Sequence, residues 1–229
     1  MSHTEDVQKA IKAHSDANTD NYIKVDTFND EVAEAVRGHI HLEWKSWFFF
    51  RKLSADCARA NVSLHGFGML FKRAATECFA DGMWLEGYLV QRGGRSKPSD
   101  IPAPDVEWPD DPVDPVQPVY EALQVEKCLL EDLQRLCAVA DKHGDYALED
   151  VIETRFLKKE TKHVKDMGDL LQQSVRVSKQ AGHGLYHLDK ELRENKGVTP
   201  WGKANNPDNT DYLLQAATAD LSNTKLFPS

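Results

Sequence analysis

A run of residues between 36 and 50 shows a periodicity that recurs in three later stretches: Val36-Arg-Gly-His-Ile-His-Leu-Glu-Trp-Lys-Ser-Trp-Phe-Phe-Phe50. Steps of four, three, four and three residues place Val36, Ile40, Glu43, Trp47 and Phe50 on one face of a helix. Four of these residues are apolar and the central one is a carboxylate. Because an ionised glutamate is costly to bury in such a stripe, we expect Glu43 to be neutral, paired or bound to a metal.

The composition is that of an ordinary globular protein. The chain has 229 residues and a formal net charge of −9, and this acidic balance disfavours nonspecific binding to nucleic acid. No apolar run approaches the roughly 18 residues of a membrane span. The polar N-terminus lacks the hydrophobic core of a signal peptide, and the four cysteines form no CxxC pair. We therefore expect a cytoplasmic protein with no nucleic-acid or membrane partner.

Three further stretches have the same helical spacing as the first helix, which we predict over residues 32–57. The helix predicted over 63–92 has an inward face of Phe67, Phe71, Ala74, Cys78, Asp81, Leu85 and Tyr88. The helix over 116–142 has an inward face of Val119, Leu123, Glu126, Leu130, Leu133, Cys137 and Ala140. The helix over 146–179 has an inward face of Leu157, Glu160, Val164, Met167 and Leu171. A short fifth helix is predicted over 185–194. No stretch alternates as a strand does, so the fold class is all-α.

Between the second and third helices lies a proline-rich connection that can form neither a regular helix nor a central strand. It contains Pro98, Pro102, Pro104, Pro109, Pro112, Pro115 and Pro118. Its length predicts one long crossover in a four-helix bundle; a flexible interdomain linker is the alternative. We divide the chain into an arm (1–27), a helical domain (28–195) and a C-terminal extension (196–229), in which residues 211–219 have some helical character.

Each of the four long helices has an acid at a core position: Glu43, Asp81, Glu126 and Glu160. Four carboxylates at one depth of a bundle repel each other unless a cation or shared protons lie among them. Glu160 and His163 also form a Glu-x-x-His pair, whose side chains lie on the same side of a helix. Carboxylates with an imidazole suit iron or manganese, and a bundle core is a place where such sites are built.

Several short stretches match the motifs of one known family. They are residues 39–43, 91–95, 126–127, 150–154, 168–169 and 184–190. On these stretches the chain resembles a ferritin subunit, and the match covers about residues 28–195 with only a slightly longer proline loop. The resemblance implies a ferritin-like four-helix bundle with a fifth helix, in a hollow cage of 24 subunits that stores iron (Fe²⁺/Fe³⁺) as a mineral.

The resemblance also implies the iron ligands. Glu43, Glu126 and Glu160 are at the positions that bind iron for ferroxidase catalysis, and His163 adds an imidazole. Two positions depart from the family, although both are retained as candidate metal ligands: Cys78 replaces the glutamate that bridges both irons, and Asp81 replaces a histidine. Because loss of a bridge weakens the binding of two irons more than that of one, we expect weak or partial ferroxidase activity. Glu77 is either a substitute carboxylate or an acid facing solvent or the cavity.

Asp150 and Glu153 form an acidic i, i+3 pair. Acids near the beginning of a helix are favourable to its dipole and common; by the resemblance, the same pair surrounds the three-fold pores and draws cations inward. His187 and Glu191 on the fifth helix either line the four-fold opening or lie on the surface.

Three functions remain open from the sequence. The first is an iron-storage subunit, in a cage of one subunit type or mixed with a second type. The second is an iron-poor cage with a structural or chaperone-like role, as in divergent members such as artemin, which shares the His-Ile-His-Leu-Glu motif and the run Ile101-Pro102-Ala103-Pro104. In the family the C-terminus points into the cavity, so residues from 198 onward would occupy space that mineral needs. The third is a metal-free bundle that does not assemble.

Overall fold

The computed structural model describes residues 3–15, 18–179 and 182–202. Its regular elements in these ranges are all helical, and one isolated bridge joins Asp110 to Val113. The predicted all-α fold class is confirmed. None of the helices formed by the described residues is both long and apolar enough to cross a membrane.

Eight α-helices and one π-helical turn follow each other along the described chain. They are α1 (His3–Ser15), α2 (Asp20–Ile23), α3 (Asp30–Cys57), α4 (His65–Gln91), α5 (Val116–Lys142), α6 (Tyr146–Val151), the π-helical turn (Ile152–Leu157), α7 (Lys158–Ser178) and α8 (His183–Glu194). Helices α3, α4 and α5 correspond to the first three predicted helices, and α8 corresponds to the fifth.

The ends of the long helices have local causes. The Asn29 side chain accepts hydrogen bonds from the backbone N–H groups of Glu31 and Val32, at 3.0 and 3.1 Å, and so caps the beginning of α3. Gly93 follows α4 with φ of +77° and donates its N–H to the carbonyl of Val90. Such a left-handed conformation is a common end of α-helices, and it favours glycine because glycine has no Cβ.

The fourth predicted helix, over 146–179, is helical from Tyr146 to Ser178 but contains a π-helical turn that the prediction did not include. The π-helical turn Ile152–Leu157 separates α6 from α7. The hydroxyl of Thr154 donates to the carbonyl of Asp150 at 2.6 Å. Because a side-chain donor then competes for a carbonyl of the helical ladder, the local hydrogen-bond pattern is disturbed.

The chain divides into two compact units. The first consists of Met1–Phe49, Ala75–Pro104 and Leu129–Leu157, and the second of Phe50–Ala74, Asp105–Cys128 and Lys158–Ser229. The core of the first unit is formed by Phe28, Val32, Ala33, Val36, Ile40, Leu85, Leu89, Leu133, Leu136, Ala140, Leu148, Ile152 and Phe156. Five of these residues lie at positions that the spacing predicts to be inward: Val36, Ile40, Leu85, Leu133 and Ala140. On α5, Leu129 and Leu136 are buried in place of the predicted Leu130 and Cys137, which are half-buried, so the predicted face of this helix is shifted by about one residue.

In the second unit, an aromatic cluster holds the proline-rich connection in place. Trp108, within that connection, is buried and packs edge-to-face on Phe67 and Phe71 of α4, at centroid distances of 5.4 and 6.0 Å. Its backbone N–H donates to Asp56 at 3.3 Å. A connection anchored by a buried indole contradicts the alternative of a flexible linker and fits a packed crossover.

Helix α8 is attached to the beginning of α4. Oδ1 of Asp189 accepts hydrogen bonds from the backbone N–H groups of Gly66 and Phe67, at 2.7 and 3.1 Å. These N–H groups lie in the first turn of α4 and have no partner within their own helix. Leu188 and Leu192 are buried on the same side of α8. The opposite side of α8 therefore stays exposed in a fixed orientation.

The boundaries of the arm and of the C-terminal extension stay predictions. Residues 3–15 and 20–23 of the arm are helical, and most of their side chains are exposed. The helical character expected for residues 211–219 lies outside the described residues.

Candidate metal centre

Three potential ligands meet in the second unit, where α7 faces α5. His163 Nδ1 lies 3.2 Å from Glu160 Oε1 and 4.0 Å from Glu126 Oε2. Glu160 and His163 share one side of α7 because they are three residues apart, as the Glu-x-x-His pattern predicts. One ligand atom from each of the three residues lies within 4.8 Å of the others, the only such group of three among the residues that the structure describes.

The two carboxylates are buried, and the imidazole is partly exposed. Glu126 and Glu160 are each 4% exposed. Burial alone raises the pKa of Glu160, but its hydrogen bond to His163 and the charge of that imidazole outweigh burial, so the pKa lies below its ordinary value. The second oxygen, Glu160 Oε2, is buried and accepts no hydrogen bond within the described ranges. An unsatisfied buried carboxylate oxygen is costly unless a cation can approach it.

This donor set suits one hard or borderline cation. Two carboxylate oxygens and one imidazole nitrogen are ligands that ferrous and ferric iron accept, and they can occupy one face of an octahedron with the remaining positions open. The partial exposure of His163 leaves a side from which an ion and water can enter. The structure thus brings together three of the predicted ligands: Glu126, Glu160 and His163.

In the first unit, Glu43 has an ion-pair partner that the sequence reasoning missed. His39 Nε2 lies 3.4 Å from Glu43 Oε1, and both side chains are buried. On its other side, His39 Nδ1 lies 2.8 Å from Asp132 Oδ2. The i, i+4 spacing of His39 and Glu43 on α3 is a signal that could have revealed their pair. No local pattern points from His39 to Asp132, which lies on α5.

The two carboxylates determine the charge of this imidazole. Burial by itself lowers the pKa of His39, but the contacts with Asp132 and Glu43 outweigh burial and raise it to about 9. Burial raises the pKa of Asp132, and the hydrogen bonds from His39 and Arg135 outweigh it, so that this pKa is lowered. His39 is therefore a cation at neutral pH, and it compensates the charge that makes Glu43 expensive to bury.

Cys78 and Asp81 are buried on α4, while the neighbouring Glu77 is half-buried. All three residues belong to the first unit, like Glu43. Burial agrees with the inward positions expected for Cys78 and Asp81. The roles of Glu43, Cys78, Asp81 and Glu77 as iron ligands stay predictions.

The predicted pore acids lie on the surface of the first unit. Asp150 is exposed on α6, and Glu153 is exposed on the π-helical turn. His187 and Glu191 are exposed on α8 in the second unit. Both pore-lining side chains and ordinary charged surface residues are exposed, so these roles stay predictions.

Comparison with known proteins identifies relatives of the chain. The family model described as "Ferritin-like domain" matches residues 33–177. Ferritin-2, chloroplastic, of Vigna unguiculata is 33% identical over 169 residues, which are 73% of this chain and 67% of that protein. Ferritin-3, chloroplastic, of Arabidopsis thaliana is 32% identical over 167 residues, 72% of this chain and 63% of the relative. The chain thus spans about two thirds of the length of these relatives.

A solved structure shows the same fold. The crystal structure of ferritin from the multicellular green alga Ulva pertusa is 33% identical to the chain and has a TM-score of 0.72. The similarity covers 85% of this chain and 99% of the algal one. The predicted ferritin-like four-helix bundle is confirmed by this match.

The relatives correct the expected location. We expected a cytoplasmic protein, but the relatives named above are chloroplastic. The expectation was wrong because its basis, a polar N-terminus without a hydrophobic core, argues only against a secretory signal peptide. Plastid transit peptides are amphipathic and lack such a core as well.

Proposed function

The chain belongs to the ferritin family, and from this premise we propose that it is an iron-storage subunit that binds ferrous iron at Glu126, Glu160 and His163. The observation that supports the proposal most directly is the convergence of two buried carboxylates and one imidazole in the second unit. A ferrous ion there would add positive charge between two buried carboxylates, whose mutual repulsion is strong in a medium of low dielectric constant.

We further infer that ferroxidase activity is weak or partial. In this chain, Glu43 already has a cationic partner in His39. An iron ion that binds Glu43 therefore has to compete with this partner and also meets its positive charge. At two further positions the ligands implied by the family resemblance are replaced: Cys78 is present in place of a glutamate, and Asp81 in place of a histidine. The group of Glu126, Glu160 and His163 keeps its ligand types, so one iron should bind more tightly than two.

Storage also requires an enclosed space and an entrance. By family relationship we propose a hollow cage of 24 subunits, formed by this chain alone or with a second subunit type. Asp150 and Glu153 are exposed acids that suit the role of pore lining, because converging carboxylates concentrate cations. The chloroplastic relatives support a plastid rather than a cytoplasmic location.

Iron loading of the purified protein tests the proposal. Ferrous iron added in air should yield a soluble ferric core, and an anaerobic titration should show one tight ferrous site in each subunit. Glu160→Gln keeps the size of the side chain but removes its charge, so it should weaken that site by at least about tenfold. Glu131→Gln, at an exposed position of α5, is the matched control and should leave binding unchanged. Precipitation of iron at the rate seen in buffer alone would refute iron storage.

The chaperone-like alternative depends mainly on the C-terminal residues from 198 onward. Most of these lie outside the described residues, and no described contact favours that role. Protection of a client protein from heat aggregation, together with failure to form a ferric core, is the result that would favour it over storage.

A further inference from the structure

Two histidines on the exposed side of α8 have their Nε2 atoms close to each other. His183 Nε2 is 3.1 Å from His187 Nε2, and the ring centroids are 4.5 Å apart with an interplanar angle of 83°. Both side chains are exposed. Their i, i+4 spacing places them one turn apart on the same side of the helix.

The separation of the two nitrogens matches that of two ligands on one metal ion. Imidazole nitrogens bind Zn²⁺ at about 2.0–2.1 Å, so two nitrogens 3.1 Å apart would subtend an angle of about 97° at the ion. This angle falls between the value of a tetrahedral site and that of neighbouring positions in a square-planar or octahedral site. The distance between the two nitrogens is therefore compatible with chelation of one ion.

The position of α8 gives this pair a rigid base. Asp189, two residues after His187, accepts hydrogen bonds from the backbone of α4, and Leu188 and Leu192 are buried beneath the helix. Because the helix is anchored on one side, the backbone positions that carry the two imidazoles on the other side keep their spacing. Glu191, one turn beyond His187, is exposed and within reach of the same surface as an additional oxygen ligand.

We propose that His183 and His187 form a second metal site, which binds a late divalent transition ion of the class Cu²⁺, Zn²⁺ or Ni²⁺. Imidazole nitrogens favour these ions over Ca²⁺ and Mg²⁺, which take oxygen ligands. The donor set also differs from that of Glu126, Glu160 and His163, which offers two carboxylates and a single imidazole. The pair therefore favours a different kind of ion from the oxygen-rich iron site.

Copper binding separates the two sites, because electron paramagnetic resonance of Cu²⁺ reports the number of nitrogen ligands. With Cu²⁺ as the probe, the intact protein should show one site per subunit with two nitrogen ligands. His183→Gln and His187→Gln should each remove that two-nitrogen signal and lower the affinity of this site by at least about tenfold. His65→Gln is the matched control, since His65 is exposed at the beginning of α4 and has no second imidazole one turn away.

A spacing variant tests chelation itself. His187→Gln combined with Glu191→His keeps the number of histidines but separates them by eight residues, about 12 Å along the helix, which is too far for one ion. This variant should fail to restore the two-nitrogen signal. Persistence of the signal in His187→Gln or in the spacing variant, or its absence from the intact protein, would overturn the proposal. Glu160→Gln, in contrast, should impair iron binding and leave this copper signal in place.

Discussion

His39 Nδ1 lies 2.8 Å from Asp132 Oδ2, although 93 positions separate the two residues in the chain. The same imidazole faces Glu43 on its other side. The buried His39 cation thus pairs with two carboxylates of the first unit, Glu43 on α3 and Asp132 on α5. This arrangement explains how an acid can lie in the apolar stripe of α3 without bound iron.

Replacement of His39 should destabilise the first unit. His39→Gln removes the cation and leaves Glu43 and Asp132 to bear their charges in the interior, at a cost of about 3–5 kcal/mol. A large fall in the thermal unfolding midpoint of the iron-free protein would show this loss. The control is His41→Gln on the same helix, where the imidazole contacts the exposed Ser99. That change should alter stability by about 0.5 kcal/mol or less.

The same ion pair should make stability depend on alkaline pH. The pKa of His39 is raised from 6.5 in the unfolded chain to about 9 in the folded protein. The folded state therefore gains its full stabilisation below pH 6.5 and loses it as the pH rises through about 9, a change on the order of 3 kcal/mol. The difference in melting temperature between the intact protein and His39→Gln should be large at pH 6.5 and should shrink above pH 9. A difference independent of pH would contradict the assignment of a buried cation.

Two glycines of α4 should respond in opposite directions to alanine. A Cβ at Gly66 would overlap the backbone carbonyl of Asp189, whereas one at Gly87 would meet nothing within 4 Å. Gly66→Ala should therefore displace α8 and cost about 2 kcal/mol. Gly87→Ala should stabilise the protein by about 0.5–1 kcal/mol, because alanine loses less backbone entropy in a helix.

Hydrogen exchange tests whether the loss of stability in Gly66→Ala comes from displacement of α8. In Gly66→Ala the amides of α8 should exchange faster, because the helix loses its packing on α4. In Gly87→Ala they should exchange as in the intact protein. Equal protection of α8 in both variants would argue against the docking contact between Asp189 and the first turn of α4.

Removal of the surface acids should slow iron uptake without affecting the binding site. The double variant Asp150→Asn with Glu153→Gln eliminates two negative charges for each subunit that contributes to a pore. We expect a severalfold lower initial rate of ferrous uptake at low ionic strength and a smaller difference in high salt, because screening weakens the attraction of cations. Asp141→Asn, an exposed acid on α5, is the control. An unchanged rate in the double variant would place Asp150 and Glu153 outside the path of entry.

Much of the candidate site could be predicted from local sequence. Glu160 and His163 share a side of one helix, and Glu126 occupies an inward position of another, so spacing alone indicated all three. The π-helical turn could not be predicted in this way, because Ile152–Leu157 contains no proline or glycine that would interrupt a regular helix. The buried residues there, Ile152 and Phe156, are one position out of phase with the predicted inward Leu157. His183 was missed as well, since its relation to His187 depends on the rotamers of both rings.

The sequence by itself determined the helical class and the approximate bounds of the long helices, because periodicity and helix caps act over a few residues. Only the tertiary structure decided which groups compensate the buried charges. Asp132 reaches His39 and Trp108 reaches Phe67 through packing between distant segments, and such contacts follow from the relative positions of whole helices and loops. A buried charge requires a partner, but the identity of that partner depends on which side chains the fold brings within a few ångströms.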